Sequence, residues 1–227
     1  REGIDVQLAL APALPALRIS MFGRFEEHKI GTVLPGGAIE EGMLAFSPDG
    51  TKVAYGMKSG SKSTLVVGDK KVGSFDYLSC PVFSPSGNKV AARAGNRTSD
   101  STERWWVYVG DKKSAEEDWI GELAWNRDGS QLAYWINPGV KIGKDGIYQG
   151  GRYFAVSGTQ RSGPWPVEGE GIFPPVFSPD GKRVAFEVNG MGQGFVVSDD
   201  KKGALFVLVE RPVFSPDGKE IAYGAVE

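Results

Sequence analysis

The sequence predicts an all-β fold, a five-bladed β-propeller with four-stranded antiparallel blades. A twelve-residue unit recurs five times: LAFSPDGTKVAY at 44–55, PVFSPSGNKVAA at 81–92, LAWNRDGSQLAY at 123–134, PVFSPDGKRVAF at 175–186 and PVFSPDGKEIAY at 212–223. Its anchor aromatics, Phe46, Phe83, Trp125, Phe177 and Phe214, are 37, 42, 52 and 37 residues apart. That matches a propeller blade, whose period is roughly 40–50 residues. Glycine, in most copies with proline, interrupts each unit, and no long 3.6-residue apolar periodicity appears, so a helical repeat is excluded.

Each unit reads as two short strands around a tight turn. In Ser215-Pro216-Asp217-Gly218 the proline pre-sets φ, the aspartate bonds its own backbone and the glycine accepts positive φ. Lys219–Tyr223 then resumes as a strand rich in β-formers. The third copy keeps Asp128-Gly129 but has Asn126-Arg127 for Ser-Pro. The second has Ser86 for aspartate.

In chain order, Leu17–Phe22 and Lys29–Leu34 are expected strands, and Gly36-Gly37 turns the chain into the first copy. The last copy has room for only two strands before Glu227. Residues 1–41 are therefore expected to complete it, closing the ring and removing exposed sheet edges. The repeats fall at 42–78, 79–120, 121–172, 173–209 and 210–227 of one domain, 1–227. Outer strands are expected at Ser63–Asp69, around Ser74–Tyr77, at Arg104–Val109, Arg152–Ser157, Phe195–Ser198 and Ala204–Val209. Asn137–Gly151 is a glycine-rich insertion, and Arg93–Glu103 a polar loop.

Composition narrows the function classes. A net charge of −2 gives no electrostatic footprint for nucleic acid. No apolar run is long enough to span a bilayer. Val6–Leu17 is apolar but broken by Pro12 and Pro15, and reads as a surface strand rather than a signal-peptide remnant. The start at Arg1 suggests that an upstream portion has been removed. Cys80, the one cysteine, makes no internal disulfide and leaves the redox compartment open.

The five units resemble the WD40-like repeat of TolB-type β-propellers, whose hallmark is a strand–FSPDG–strand unit. With the intervening strands the resemblance covers about four-fifths of the chain. It implies a propeller and is unspecific for function: the family includes periplasmic binding and scaffold proteins and non-catalytic propellers attached to peptidases. A periplasmic or secreted location is favoured over a cytoplasmic one. The missing Ser-Pro in copy three and the insertion after Ile136 depart from the pattern.

The sequence offers no catalytic set. His28 is the one histidine, lies among charges, and has no G-x-S-x-G elbow to serve. A zinc site would need several His or Cys ligands. Gly143-Lys144-Asp145 lacks the spacing and the following helix of a phosphate loop. Asp49, Asp180 and Asp217 invite comparison with glycosidase carboxylates, but they recur with the turn and are read as turn stabilisers. Ser198-Asp199-Asp200 lacks the alternation of a calcium loop. Trp105, Trp106 and Tyr108 are read as packing between blades. No cofactor and no metal are expected.

The copies diverge where a propeller's channel mouth would lie. Four and three residues before the anchors stand Gly42-Met43, Ser79-Cys80, Gly121-Glu122, Phe173-Pro174 and Glu210-Arg211. With neighbours, the candidate binding residues are Glu41, Tyr77, Trp119, Glu122, Phe173, Glu210 and Arg211. Aromatic and arginine anchors suit partner recognition, and a non-catalytic scaffold binding a protein, peptide or other ligand at this mouth is expected. The alternatives are a carbohydrate-active propeller enzyme using Glu41, Glu122 and Glu210, and a detached propeller of a larger sensor or peptidase.

Overall fold

The computed structural model describes residues 16–19, 28–98, 102–143, 148–165, 171–190 and 192–227. All regular structure among them is strand, and each of the first four copies builds a sheet of antiparallel hairpins. In the first, Ala38–Phe46, Val53–Ser59, Lys62–Val67 and Lys70–Phe75 lie side by side in that order. The third orders Ala124–Trp125, Leu132–Ile136, Tyr153–Ser157 and Gln160–Trp165 in the same way. These are propeller-type blades.

The chain forms two compact units, one of residues 1–94 with 108–112 and one of 95–107 with 113–227. In the first unit, Val53, Tyr55, Met57 and Val66 make a buried core with Val33. Ile30 and Leu34 pack on it. The Tyr55 hydroxyl donates to the Thr32 carbonyl at 3.2 Å and accepts from the Leu34 amide at 3.1 Å, pinning the incoming chain to this face. A further cluster joins Leu65 and Phe75 to Ala92 and Ala94, with Tyr108 5.1 Å from the Phe75 ring. In the second unit Trp135, Phe186, Val188, Phe195 and Val197 form the largest cluster. Trp135 meets Phe186 edge-on at 4.9 Å. Val209 closes a smaller one with Ala185 and Val196.

The recurring turn is a hydrogen-bonded ring. Ser47 Oγ donates to Asp49 Oδ1 at 2.5 Å and accepts from the Lys52 amide at 2.9 Å, while the Thr51 amide donates to the same carboxylate. Ser178–Asp180 and Ser215–Asp217 repeat this arrangement. In the third copy Asn126 Oδ1 accepts from the Gln131 amide at 2.9 Å and its Nδ2 donates to Ser130 Oγ, so the amide replaces the missing serine. The turns also nest. A Cβ on Gly181 would stand 3.0 Å from Asn126 Nδ2, and one on Gly218 3.4 Å from Ser178 Cβ. In the first unit Gly87 abuts Ser47 in the same way. A basic side chain ties one turn to the next: Lys52 Nζ donates to the Gly87 carbonyl at 3.0 Å, and Arg183 to the Gly218 and Lys219 carbonyls at 2.9 and 2.7 Å.

Several strands depart from expectation. The inner strand is broken in most copies. Tyr77–Leu78 and Val82–Phe83 ladder separately onto Val90–Arg97, and Gly171–Ile172 and Val176–Phe177 onto Val184–Gly190. Tyr77–Leu78 and Gly171–Ile172 thus close the sequence repeats 42–78 and 121–172 but pair forward with the next copy. The outer edge of the fourth sheet only partly matches the expected Ala204–Val209: Lys201–Lys202 pairs there first, Phe206 then bridges Gly194, and Leu208–Val209 leaves the edge to pair with Ala225–Val226. The insertion holds its own hairpin, Val140–Ile142 with Tyr148–Gly150. Trp106 is buried as expected, whereas Trp105 lies over Gly95 and donates Nε1 to Glu103 at 3.0 Å.

At the N-terminus, Ala16–Ile19 pairs with His28–Thr32 in a sheet of two strands. The last copy ends as two further pairs, Leu208–Val209 with Ala225–Val226 and Val213–Phe214 with Ile221–Ala222. The expected pairing of residues 1–41 with the last copy is not among the ladders of the described residues. Residues 1–15 and 20–27, part of that expectation, lie outside them, as do 144–147, which include most of the turn expected at Gly143-Lys144-Asp145.

Two measurements check the turn. Gly60 and Gly181 both have positive φ, 61° and 70°, but only Gly181 faces a neighbour that a Cβ would crowd. Chemical denaturation should show Gly181→Ala losing about 1–3 kcal/mol and Gly60→Ala clearly less, about 1 kcal/mol. Hydrogen bonds from Ser47 and then Thr51 hold the Asp49 carboxyl at about 2, and Asp180 and Asp217 are lowered for the same reason. The folded state binds these protons more weakly than the unfolded chain, so their contribution is present above about pH 4 and lost as pH falls toward 2. Urea midpoints of Asp49→Asn and wild type should converge across that window.

Candidate functional site

The break in the inner strand shapes the candidate face. The residue four before the anchor keeps one backbone bond to the second strand: Ser79, Gly121 and Glu210 amides donate to the Arg93, Trp135 and Gly224 carbonyls, each at 2.9 Å. The residue that follows lies in the break with its side chain exposed, as at Cys80, Glu122 and Arg211. Pro81, Pro175 and Pro212 then open the second piece, where a missing N–H costs no ladder bond.

The predicted residues divide between the two units. Glu41 is exposed and Tyr77 half-buried in the first. In the second, Glu122, Glu210 and Arg211 are exposed, and Phe173 is 42% exposed, high for an aromatic ring. Trp119 is half-buried, edge-on to Tyr153 at 5.7 Å. Its carbonyl accepts from the Asn137 amide, and neighbouring Asp118 accepts from the Gly139 amide at 2.6 Å. Trp119 therefore stands at the root of the inserted hairpin. Arg104 also pairs with Asp118, fixing that carboxylate from the other side.

Sequence reasoning missed Glu187. It lies on Val184–Gly190 with only 4% of its surface exposed. Oε1 accepts from Asn189 Nδ2 at 2.7 Å, and Oε2 has no hydrogen-bond partner. Asn189 is itself fully engaged: Nδ2 donates to the Val209 carbonyl at 2.8 Å and Oδ1 accepts from the Val209 amide at 2.9 Å, as a peptide group would. Burial pushes the Glu187 carboxyl up to about 7, with Arg211 and the Asn189 bond opposing and Glu210 adding to the rise. The structure thus links Glu210 and Arg211 electrostatically through a carboxyl from the neighbouring copy. A signal was available: Glu187 stands among apolar residues where the aligned positions hold Gly56, Arg93, Trp135 and Gly224.

Among the described residues no cluster of three His, Cys, Asp or Glu could hold a metal ion, and no helix is long and apolar enough to cross a membrane. The Asp49, Asp180 and Asp217 carboxylates are occupied within their turns, as expected.

Several solved structures resemble this chain. Hydrazine synthase of Kuenenia stuttgartiensis matches at 19% identity, covering 88% of this chain and 58% of the other, with a TM-score of 0.43. TolB from Acinetobacter baumannii matches at 14%, covering 95% and 50%, with 0.41. The β-propeller domain of the Trilobed protease from Pyrococcus furiosus, described as having an open velcro topology, matches at 12%, covering 88% and 67%, with 0.49. The chain spans 58% and 50% of the length of the first two. No protein-family model matches it, and no curated protein does.

Glu187 gives a pH prediction of opposite sign to the turns. Its folded-state carboxyl holds the proton more tightly than the unfolded chain does, so stability falls as pH rises from about 4.5 to 7. Glu187→Gln should flatten that slope. Above pH 7 it should raise stability by roughly 3 kcal/mol, read from denaturant midpoints.

Proposed function

We propose that the chain is a non-catalytic five-bladed propeller scaffold that binds a protein or peptide through Glu41, Tyr77, Trp119, Glu122, Phe173, Glu210 and Arg211. The observation that carries this reading is a contrast within the repeat. The turn is nearly identical from copy to copy and fully hydrogen-bonded, whereas the residues in the inner-strand break differ at every copy and several stand exposed. Aromatic and arginine side chains among acids suit a polar, partly aromatic partner segment.

In this reading residues 1–227 make one ring, with Ala16–Ile19 and His28–Thr32 completing the last blade. Support comes from the apolar residues around the last copy, where Leu205, Val207, Leu208, Val213 and Val226 are each 44–58% exposed. Covering them would remove an apolar edge. With Cys80 replaced by serine, paired cysteines scanned along 16–19 and 221–226 should form an intrachain disulfide in at least one register. Crosslinking only between chains, or none in any register, overturns the ring.

The binding reading is tested with a displayed peptide library and purified protein. Peptides selected on wild type should bind at least about tenfold more weakly to Trp119→Ala and to Arg211→Glu. Unchanged affinity in both variants overturns the assigned face. The enzyme alternative draws on one observation, the near-neutral buried carboxyl of Glu187 beside Glu210. Hydrolysis of chromogenic glycosides that disappears in Glu187→Gln would favour it.

A further inference from the structure

A separate cleft opens in the second unit, at the turn end of the third and fourth sheets. Its volume is about 80 Å³. Phe186, Val197, Ala155 and Val184 form the floor, where the largest core cluster reaches the turns. The walls are polar: Ser157 and Gln160 flank the turn of one hairpin, Ser198 precedes the Asp199-Asp200 turn of the other, and Gln131 and Lys182 come from the recurring turns. Two of the hydroxyls in the cleft, Ser162 Oγ and Ser198 Oγ, are buried and make no hydrogen bond. An unmet buried hydroxyl costs about 1–3 kcal/mol. They are the two buried hydroxyls without a partner among the described residues, and both line this one cleft.

The chemistry of the walls narrows the ligand. Hydroxyls and primary amides both donate and accept, so they match groups that do both. Asp199 and Asp200 oppose an anion. A metal ion is disfavoured because Asp199 Oδ2 is already held by Arg183 Nε at 2.7 Å and no third ligating side chain joins the two aspartates. A wholly apolar ligand would bury the orphaned hydroxyls unmet. The space exceeds that of two waters, at about 30 Å³ each, and admits one end of a sugar ring. We propose that this cleft binds a neutral polyhydroxylated ligand, a sugar residue set with one apolar face on the floor and its hydroxyls on Ser162, Ser198 and Gln160. The site is distinct from the strand-break residues and does not depend on their role.

Saturation-transfer NMR on the whole chain, with methyl glucoside, methyl galactoside and methyl N-acetylglucosaminide as probes, tests this. Sodium sulfate and calcium chloride are titrated in parallel. At least one glycoside should show transfer, weakened about tenfold or more in Ser198→Ala/Gln160→Ala, since each lost hydrogen bond is worth about 0.5–1.5 kcal/mol. Gln160→Trp, an exposed rim change that leaves the floor intact, should block the cleft and abolish transfer while near-ultraviolet circular dichroism keeps its folded signature. Any of three results overturns the proposal: no transfer from any glycoside, transfer equal in wild type and both variants, or a cleft that responds to sulfate or calcium alone. If Trp119→Ala rather than Gln160→Trp removed the transfer, the sugar would belong to the strand-break face.

Discussion

The fold depends on one small contact, the seating of a turn against the turn before it within each unit. Serine and aspartate close a ring of hydrogen bonds, which leaves the following glycine in a left-handed conformation with its Cα against the neighbouring serine or asparagine. A side chain there would have to displace that neighbour. The Lys52 and Arg183 bridges then cross from turn to turn, donating to carbonyls that the ladders leave open. Aspartate conformation, glycine identity and blade spacing are therefore one constraint rather than three.

This constraint explains what was legible in the sequence. The turn is local, so its chemistry was readable from four residues, and its recurrence gave the repeat and the blade. Even the aberrant third copy was readable as a turn, though the means by which Asn126 replaces serine was not. The inner-strand break was not legible: an anchor such as Val82–Phe83 looks like the end of a continuous strand until Tyr77–Leu78 is seen to ladder separately. The outer edge of the fourth sheet was only partly legible: Phe206 bridges it as expected, but the charged pair Lys201–Lys202, which opens that edge, gave no apolar signal.

The candidate face was legible only as a list of divergent positions. Their exposure follows from the break, and the break comes from pairing across two copies. Glu187 escaped notice because its neighbours Glu210 and Arg211 come from the next repeat, and burial beside them depends on tertiary packing. The cleft was equally hidden: serines at hairpin ends are ordinary in sequence, and their lack of partners appears only when two sheets are set side by side.

The interrupted inner strand has a wider consequence. Cys80 and Arg211 each sit between two short ladders with their side chains exposed. Deletion or insertion of a residue at these points would be absorbed as slack, without shifting the alternation of inward and outward side chains downstream. The chain thereby keeps its turns nearly alike from copy to copy while the residues at the breaks differ from one copy to the next.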